Sequence, residues 1–343
     1  MVGLDISSTA VKLLELSRKG ARYHIESYAV EPLPVGAVVE KTIADSAAVG
    51  DTIRRAVQRS KTRAKRAAVA VGGSAVITKV IPLAADLSDD EMASQIELDA
   101  HQYIPYPLEE VNLDFQVLGP AHEKGMVDVL LAASRSENVD MRVAAVELAG
   151  LTPAIVDVEA YATETALDLI IEQMPGKGAG KTLAVFDVGA TMTSFNVLID
   201  RKIVYTREQL FGGKQLTETI QNRYGMSYEE AGKAKRLGGL PADYTGEVLE
   251  PFKESVAQQI SRSLQFFFSS TNYNHVDHIL LAGGNALIPG ITELVQAKTD
   301  TPASIANPFV GMSVAERINK QAITGDAPAL MIACGLALRS FDA

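Results

Sequence analysis

The chain carries the same acidic turn twice. "LDISSTAVKLLEL" begins at Leu4 and "FDVGATMTSFNVL" at Phe186. Each runs from an apolar strand ending in aspartate (Asp5, Asp187) through small residues, with a threonine four positions on (Thr9, Thr191), into a second apolar strand. The copies lie 182 positions apart. A turn made of small residues leaves backbone N–H groups free to converge on one point, which is how a protein cradles phosphate oxygens. An aspartate at the strand end before such a turn suits a hydrated Mg²⁺. One turn of this kind is ordinary chemistry for Asp, Gly and Ser. Two in equivalent places imply two duplicated half-domains facing each other, with a polyphosphate and a metal between them. The bland alternative is a pair of structural hairpins.

A third motif favours the first reading. "LLAGGNALIPG", residues 280–290, is a buried strand that emerges into Gly283 and Gly284. Glycine there lets the backbone take positive φ and approach a flat nucleoside closely. Asn285 and the following helix start add polar donors.

Composition sets the limits. With 343 residues, 47% apolar and 22% charged, the chain is long enough for about two domains and has an ordinary folded composition. A net charge of −10 argues against general nucleic-acid binding. The single cysteine, Cys334, excludes an internal disulfide, fits a reducing compartment, and in "ALMIACGLAL" reads as a buried small hydrophobe. No apolar run is expected to reach the ~18 residues of a membrane span, and no secretory signal pattern opens the chain. The first strand starts at Val2, which leaves open a natural leader ahead of it. A cytoplasmic location is expected.

The first third alternates strands and helices: 2–6 with 11–16 as a hairpin, "ARYHIESYAVEPLP", the helix "DSAAVGDTIRRAVQRS", then strands "RAAVAVGG" and "AVITKVIPL" from Ala75. This favours an α/β sheet. From about Ala84 to Gly150 the texture changes to helix, strand, strand, helix, opened by a Ser88–Glu91 capping box and broken by "IPYP". That stretch reads as an inserted α+β subdomain, with boundaries at 84–152. The glycine-rich segment 174–181 reads as the interdomain linker. The first domain is therefore assigned to 1–83, 153–175 and about 320–343, and the second to 176–319. Residues after the second hairpin read as mostly helical to Asn272.

These three motifs resemble the two phosphate loops and the adenosine loop of the actin-like ATPase superfamily, which includes actin, the 70-kDa heat-shock chaperones, sugar kinases and FtsA. The fold implied is an actin-like (ribonuclease H-like) two-domain α/β fold with duplicated halves and an FtsA-type insert. "GLDISSTAVKLLEL", the insert's position and "HQYIPYPLEEV" are together similar to the actin-like subunits of the type IV pilus inner-membrane platform. The resemblance implies ATP (or ADP) and Mg²⁺ as ligands. It places Asp5 and Asp187 at the metal, through water, and Ser7, Ser8, Thr9, Gly189, Ala190 and Thr191 at the phosphates. Gly212, Gly213, Lys214 and Lys235, with Gly283, Gly284 and Asn285, fall at the nucleoside. Lys12 reads either as a cation near the phosphates or as a solvated strand lysine. Glu159 falls near the residue that orients the attacking water, and also reads as a helix-start glutamate matched to the macrodipole. Ser7 stands where FtsA and the chaperones usually have glycine, which puts fast turnover in doubt.

The family resemblance further implies a scaffold of the twitching-motility machinery that holds the short cytoplasmic N-terminal peptide of PilN. Ile96, Tyr103, Ile104 and Tyr106 are the candidate contacts. The pilus motor ATPases and the platform protein PilC are further partners it suggests. Membrane association would run through partners, since the chain ends at Ala343 straight after a helix of mixed apolar character. Homo-oligomerisation stays open. The alternative is a catalytically active ATPase or small-molecule kinase. "PGKGAGKT" imitates a P-loop but has Pro175 where the pattern needs glycine, and it precedes a strand. The pair His275 and His278 lacks a third metal ligand. Seven Lys or Arg residues between Arg54 and Arg66 read as a solvated helix end, with an anionic partner or membrane surface as the runner-up.

Overall fold

The computed structural model describes residues 1–73 and 76–342. Ala75, where the strand "AVITKVIPL" was expected to begin, and the terminal Ala343 lie outside the described residues. The elements run β1 (Val2–Ile6), β2 (Ala10–Lys19), β3 (Arg22–Pro32), β4 (Val38–Val39), β5 (Thr42–Ile43), α1 (Ser46–Ser60), β6 (Arg66–Val71), β7 (Val76–Ala84) and α2 (Asp89–Asp99). They continue with β8 (Val111–Pro120), β9 (Met126–Arg135), α3 (Ser136–Leu148), β10 (Thr152–Val158) and α4 (Glu159–Ile171). The second half has β11 (Thr182–Val188), β12 (Thr193–Ile199), β13 (Lys202–Gln209), α5 (Gly213–Tyr224), α6 (Tyr228–Leu237), α7 (Glu250–Ser270) and β14 (His278–Ala282). It closes with α8 (Ile291–Thr299), β15 (Ala303–Ile305), β16 (Ser313–Val314), α9 (Lys320–Asp326) and α10 (Met331–Leu338).

Two sheets repeat one plan. The first has strand order β10-β6-β1-β2-β3-β16, and the second β13-β12-β11-β14-β15. In each, a hairpin lies at the centre (β1–β2, β11–β12), a third antiparallel strand follows it, and two parallel strands flank the other side. This is the actin-like architecture of duplicated halves. Strand β13 falls in the stretch read as mostly helical, so the second lobe carries a strand the sequence pattern did not reveal. β16 returns the chain to the first sheet, and α10 packs between β1 and α4.

One apolar core joins the lobes. Leu14, Leu16 and Ile25 of the first sheet and Leu183, Val185, Leu198 and Leu280 of the second share one buried cluster with residues of α4 and α10. Small residues make this close packing possible. A Cβ on Gly335 would fall 1.7 Å from the Ala162 carbonyl oxygen, and one on Gly3 would fall 2.3 Å from that of Ala333. By length and hydropathy the run Lys320–Phe341 matches a membrane span, which the sequence reading did not expect; 61% of its most apolar window is buried inside the fold.

The insert differs at both edges from the 84–152 reading. Its sheet has order β7-β9-β8, so residues 76–84 pair with β9 instead of joining the first sheet. Helix α3 packs on α1, and its Ala145 and Val146 sit in the first lobe's core. β7 was misplaced because a short apolar run carries no mark of which sheet it joins. The capping box at α2 is formed, with the Ser88 hydroxyl accepting from Glu91 N–H.

Candidate functional site: a cleft between the twin turns

The two acidic turns meet. The Thr191 hydroxyl of the second donates to the Ser8 hydroxyl of the first at 2.9 Å. Around them lies a cavity of about 300 Å³, the small end of the range for ligand pockets. It is lined by Asp5, Ser7, Ser8, Thr9 and Lys12 from the first turn, and by Asp187, Gly189, Ala190 and Thr191 from the second. Gly213, Lys235, Gly283, Gly284 and Asn285 complete the second lobe's side, and Glu159 closes the floor.

Local chemistry explains each turn. Ser7 N–H and Ser7 Oγ both donate to the Ala10 carbonyl, at 3.0 and 2.8 Å. Gly189 N–H makes the matching bond to Met192 at 3.0 Å. Neither Ser7 nor Gly189 has positive φ, so serine costs this turn no backbone freedom. Gly283 does need glycine: its φ is +84°, and a Cβ would lie 2.5 Å from both Asp187 Oδ1 and the Val188 oxygen. Asn285, expected as a nucleoside donor, lines the cavity and also braces the neighbouring turn. Its Nδ2 donates to the Val188 and Gly189 carbonyls at 3.0 and 2.7 Å, pinning the second turn.

Two of the expected nucleoside residues do not line the cavity. Gly212 lies behind the second turn, where a Cβ would meet the Gly189 oxygen at 2.4 Å. The Lys214 ammonium is directed at Glu218, 3.7 Å away on the exposed helix face. Lys235 does reach the cavity, its ammonium donating to the Gly213 carbonyl at 3.0 Å and the Thr217 hydroxyl at 2.8 Å. Burial without a carboxylate partner, with Arg236 nearby, lowers its pKa to about 8.

Charge is concentrated here. Lys12 pairs with buried Asp5 at 2.8 Å, which favours the cation reading over the solvated lysine. Burial acts to lower Lys12, but Asp5, Asp187 and Glu159 outweigh it and hold the ammonium above the usual range. Burial pushes Asp187 up to about 6, against the pull of Lys12 and Lys41. Among the described residues no group of three or more His, Cys, Asp or Glu side chains is placed to hold a metal directly. Two aspartates at one cleft suit a Mg²⁺ that keeps most of its waters.

Several site residues carried no sequence signal. Lys41, in the turn between β4 and β5, bonds Glu159 at 2.5 Å, Glu208 of β13 at 2.8 Å and Ser194 of β12 at 3.2 Å. Glu159 thus has a cation partner, and Gly72 leaves room for it: a Cβ there would fall 2.5 Å from the carboxyl carbon. Arg142 of α3, 1% exposed, donates to the carbonyls of Lys41 and Ala70, each at 2.6 Å, and to that of Asn138 at 3.0 Å. A lone arginine among apolar helix residues was the one available hint.

Beyond Glu159 lies a second, larger groove of about 1010 Å³. It runs between the insert (Val76, Thr78, Val80, Leu130), the start of α4 and strand β13, with Glu40, Glu159 and Glu208 at one end. The candidate peptide contacts do not line it. Ile96 and Ile104 are 1% and 3% exposed, filling the insert's core. Tyr103 and Tyr106 pack on the same face of the insert's sheet as that core, under Lys79 and Arg135. An aromatic-aliphatic mix reads alike for a groove and for a small core, and here the core claims it. Of the basic run, Arg54, Arg55 and Arg59 are bonded to neighbours. Lys61, Arg63, Lys65 and Arg66 are exposed and make no ion pair among the described residues.

A family model described as type IV pilus assembly protein PilM matches residues 3–341. A solved "PilM-PilN type IV pilus biogenesis complex" includes a chain 28% identical to this one, with a TM-score of 0.83, covering 100% of this chain and 98% of that one. The ethanolamine utilization protein EutJ of Carboxydothermus hydrogenoformans matches at TM-score 0.59 and 17% identity, over 98% and 88% of the two chains. MreB 5 of Spiroplasma citri, solved bound to AMPPNP, matches at 0.51 and 13%, over 99% and 95%. The last two likenesses establish the fold alone.

Proposed function

The chain belongs to the type IV pilus assembly protein PilM family, and on that premise we propose that it is an ATP-binding, actin-like cytoplasmic scaffold at the inner face of the inner membrane. The observation that carries the nucleotide reading is the meeting of two duplicated acidic turns at one cavity, bridged by Ser8 and Thr191. ATP or ADP would lie between them, with Ser7, Ser8 and Thr9 on one side and Gly189, Ala190 and Thr191 on the other placed to take its phosphates. Asp5 and Asp187 are the residues that would hold Mg²⁺, which would supply charge neutralisation of the phosphates when bound. Lys12 adds a fixed cation, and Lys235 gains an anionic neighbour that its buried ammonium lacks. Because the ligand contacts both lobes, its preference for the closed arrangement sets their closure.

The scaffold binds the cytoplasmic N-terminal peptide of PilN, a reading supported by the likeness to a chain of the PilM–PilN complex. The 1010 Å³ groove is the seat we assign to it, between apolar insert residues and the edge strands β7 and β13, whose open edges suit an extended peptide. The nucleotide is held more than turned over, since Glu159, which the family resemblance puts near a water-orienting position, is engaged by Lys41. Pilus motor ATPases and PilC are further candidates for contact. Asp187→Ala should abolish retention of Mg-ATP and alter PilN-peptide affinity, as read by titration calorimetry. Normal binding of both would refute the coupling, and phosphate transfer to a small alcohol would refute the scaffold.

A further inference from the structure

The nucleotide cleft and the larger groove share a wall. Glu159 and Met192 line both; Lys41 and Ser194 face the cleft, and Glu40 and Glu208 face the groove. Within that wall Lys41 is the only cation among the described lining residues that bonds carboxylates of both lobes: Glu159 at the start of α4 in the first, Glu208 on β13 in the second. The three side chains are 16%, 12% and 21% exposed, so their charges are little screened by water. The base of the arrangement is fixed. Arg142 holds the Lys41 carbonyl, and the turn places Glu40 and Lys41 at φ of 47° and 66°. The far partner sits on an edge strand, so the bridge spans the joint between lobes and not the interior of either.

We infer that Lys41 is an interlobe clasp: by bonding Glu159 and Glu208 together it holds the lobes closed across the wall between the two cavities, so that closure at one is closure at the other. This regulation rests on the nucleotide and peptide readings above for its ligands, but the clasp itself is a property of the free chain. Coupling of this kind is reciprocal: a ligand that favours the clasped arrangement in one cavity tightens binding in the other. Lys41 is a positioning residue here, acting through the two glutamates.

The test uses the full chain spin-labelled at Lys124→Cys in the insert and Glu229→Cys in the second lobe, both exposed. The native Cys334 is fully buried and does not compete for label. Glu208→Gln cuts the interlobe half and leaves Lys41–Glu159 in place. It should lengthen and broaden the inter-label distance distribution and speed Mg–mant-ADP dissociation roughly tenfold. Lys41→Arg keeps the charge and should stay near wild type, whereas Lys41→Met should follow Glu208→Gln. Wild-type distances in both Glu208→Gln and Lys41→Met overturn the clasp, and changed distances with an unchanged dissociation rate overturn the coupling. A wild-type chain that binds no mant-ADP, together with a distance change in Glu208→Gln, refutes the nucleotide reading and upholds the clasp.

Discussion

Asp187 should make nucleotide binding depend on pH. Its carboxyl is held at about 6 against an ordinary 3.8, because burial outweighs the attraction of Lys12 and Lys41. If Mg²⁺ and phosphate are taken only by the ionised form, roughly one molecule in eleven is competent at pH 5 and about ten in eleven at pH 7. Affinity for Mg-ADP should then weaken about tenfold between pH 7 and pH 5. The nucleotide titrates in the same range, so the comparison is with Asp187→Asn, whose weaker binding should lose this part of the slope. The same shift acts on stability. Below pH 3.8 the carboxyl is protonated whether folded or not, and no difference arises. Between pH 3.8 and about 6 the unfolded chain gives up this proton while the folded chain keeps it, so stability falls across that window by up to about 3 kcal/mol, a loss complete at neutral pH. Asp187→Asn should therefore be more stable than wild type to urea at pH 7, with the gap closing toward pH 4. Equal slopes in the two proteins, or no gain in stability at pH 7, would refute the reasoning.

Lys235→Met should weaken Mg-ADP binding roughly tenfold without loss of stability, because a buried ammonium with no carboxylate partner is unfavourable below its pKa of about 8; calorimetry and urea unfolding check both halves. Gly335→Ala places a Cβ 1.7 Å from the Ala162 oxygen and should force α10 off α4, costing at least about 3 kcal/mol or preventing folding, as read by urea unfolding.

The twin turns were legible because duplicated halves repeat their residues locally: aspartate, small residues and threonine recur in the same order in both. The third motif was legible because a buried strand, two glycines and an asparagine fall in one short stretch, and there Gly283 makes room for Asp187 while Asn285 pins the turn. What stayed hidden depends on tertiary pairing. Lys41 sits in an unremarked two-strand turn and finds partners 118 and 167 residues away. Strand β13 runs its apolar residues together (Ile203, Val204, Tyr205) before four polar ones, at an edge beside the groove, with no fully buried residue to mark a strand period. Ile96 and Ile104 carried the residue types of a peptide groove, and only the packing of α2 and of the segment after it on the insert's sheet decides that they are core.

Hydrogen exchange on the full chain, with and without Mg-ADP, tests the central claim most directly. The account predicts that amides of 6–10, 188–192 and 283–286 slow together when nucleotide is added, since one ligand is held from both lobes. Protection confined to one lobe, or none in either turn, would contradict it.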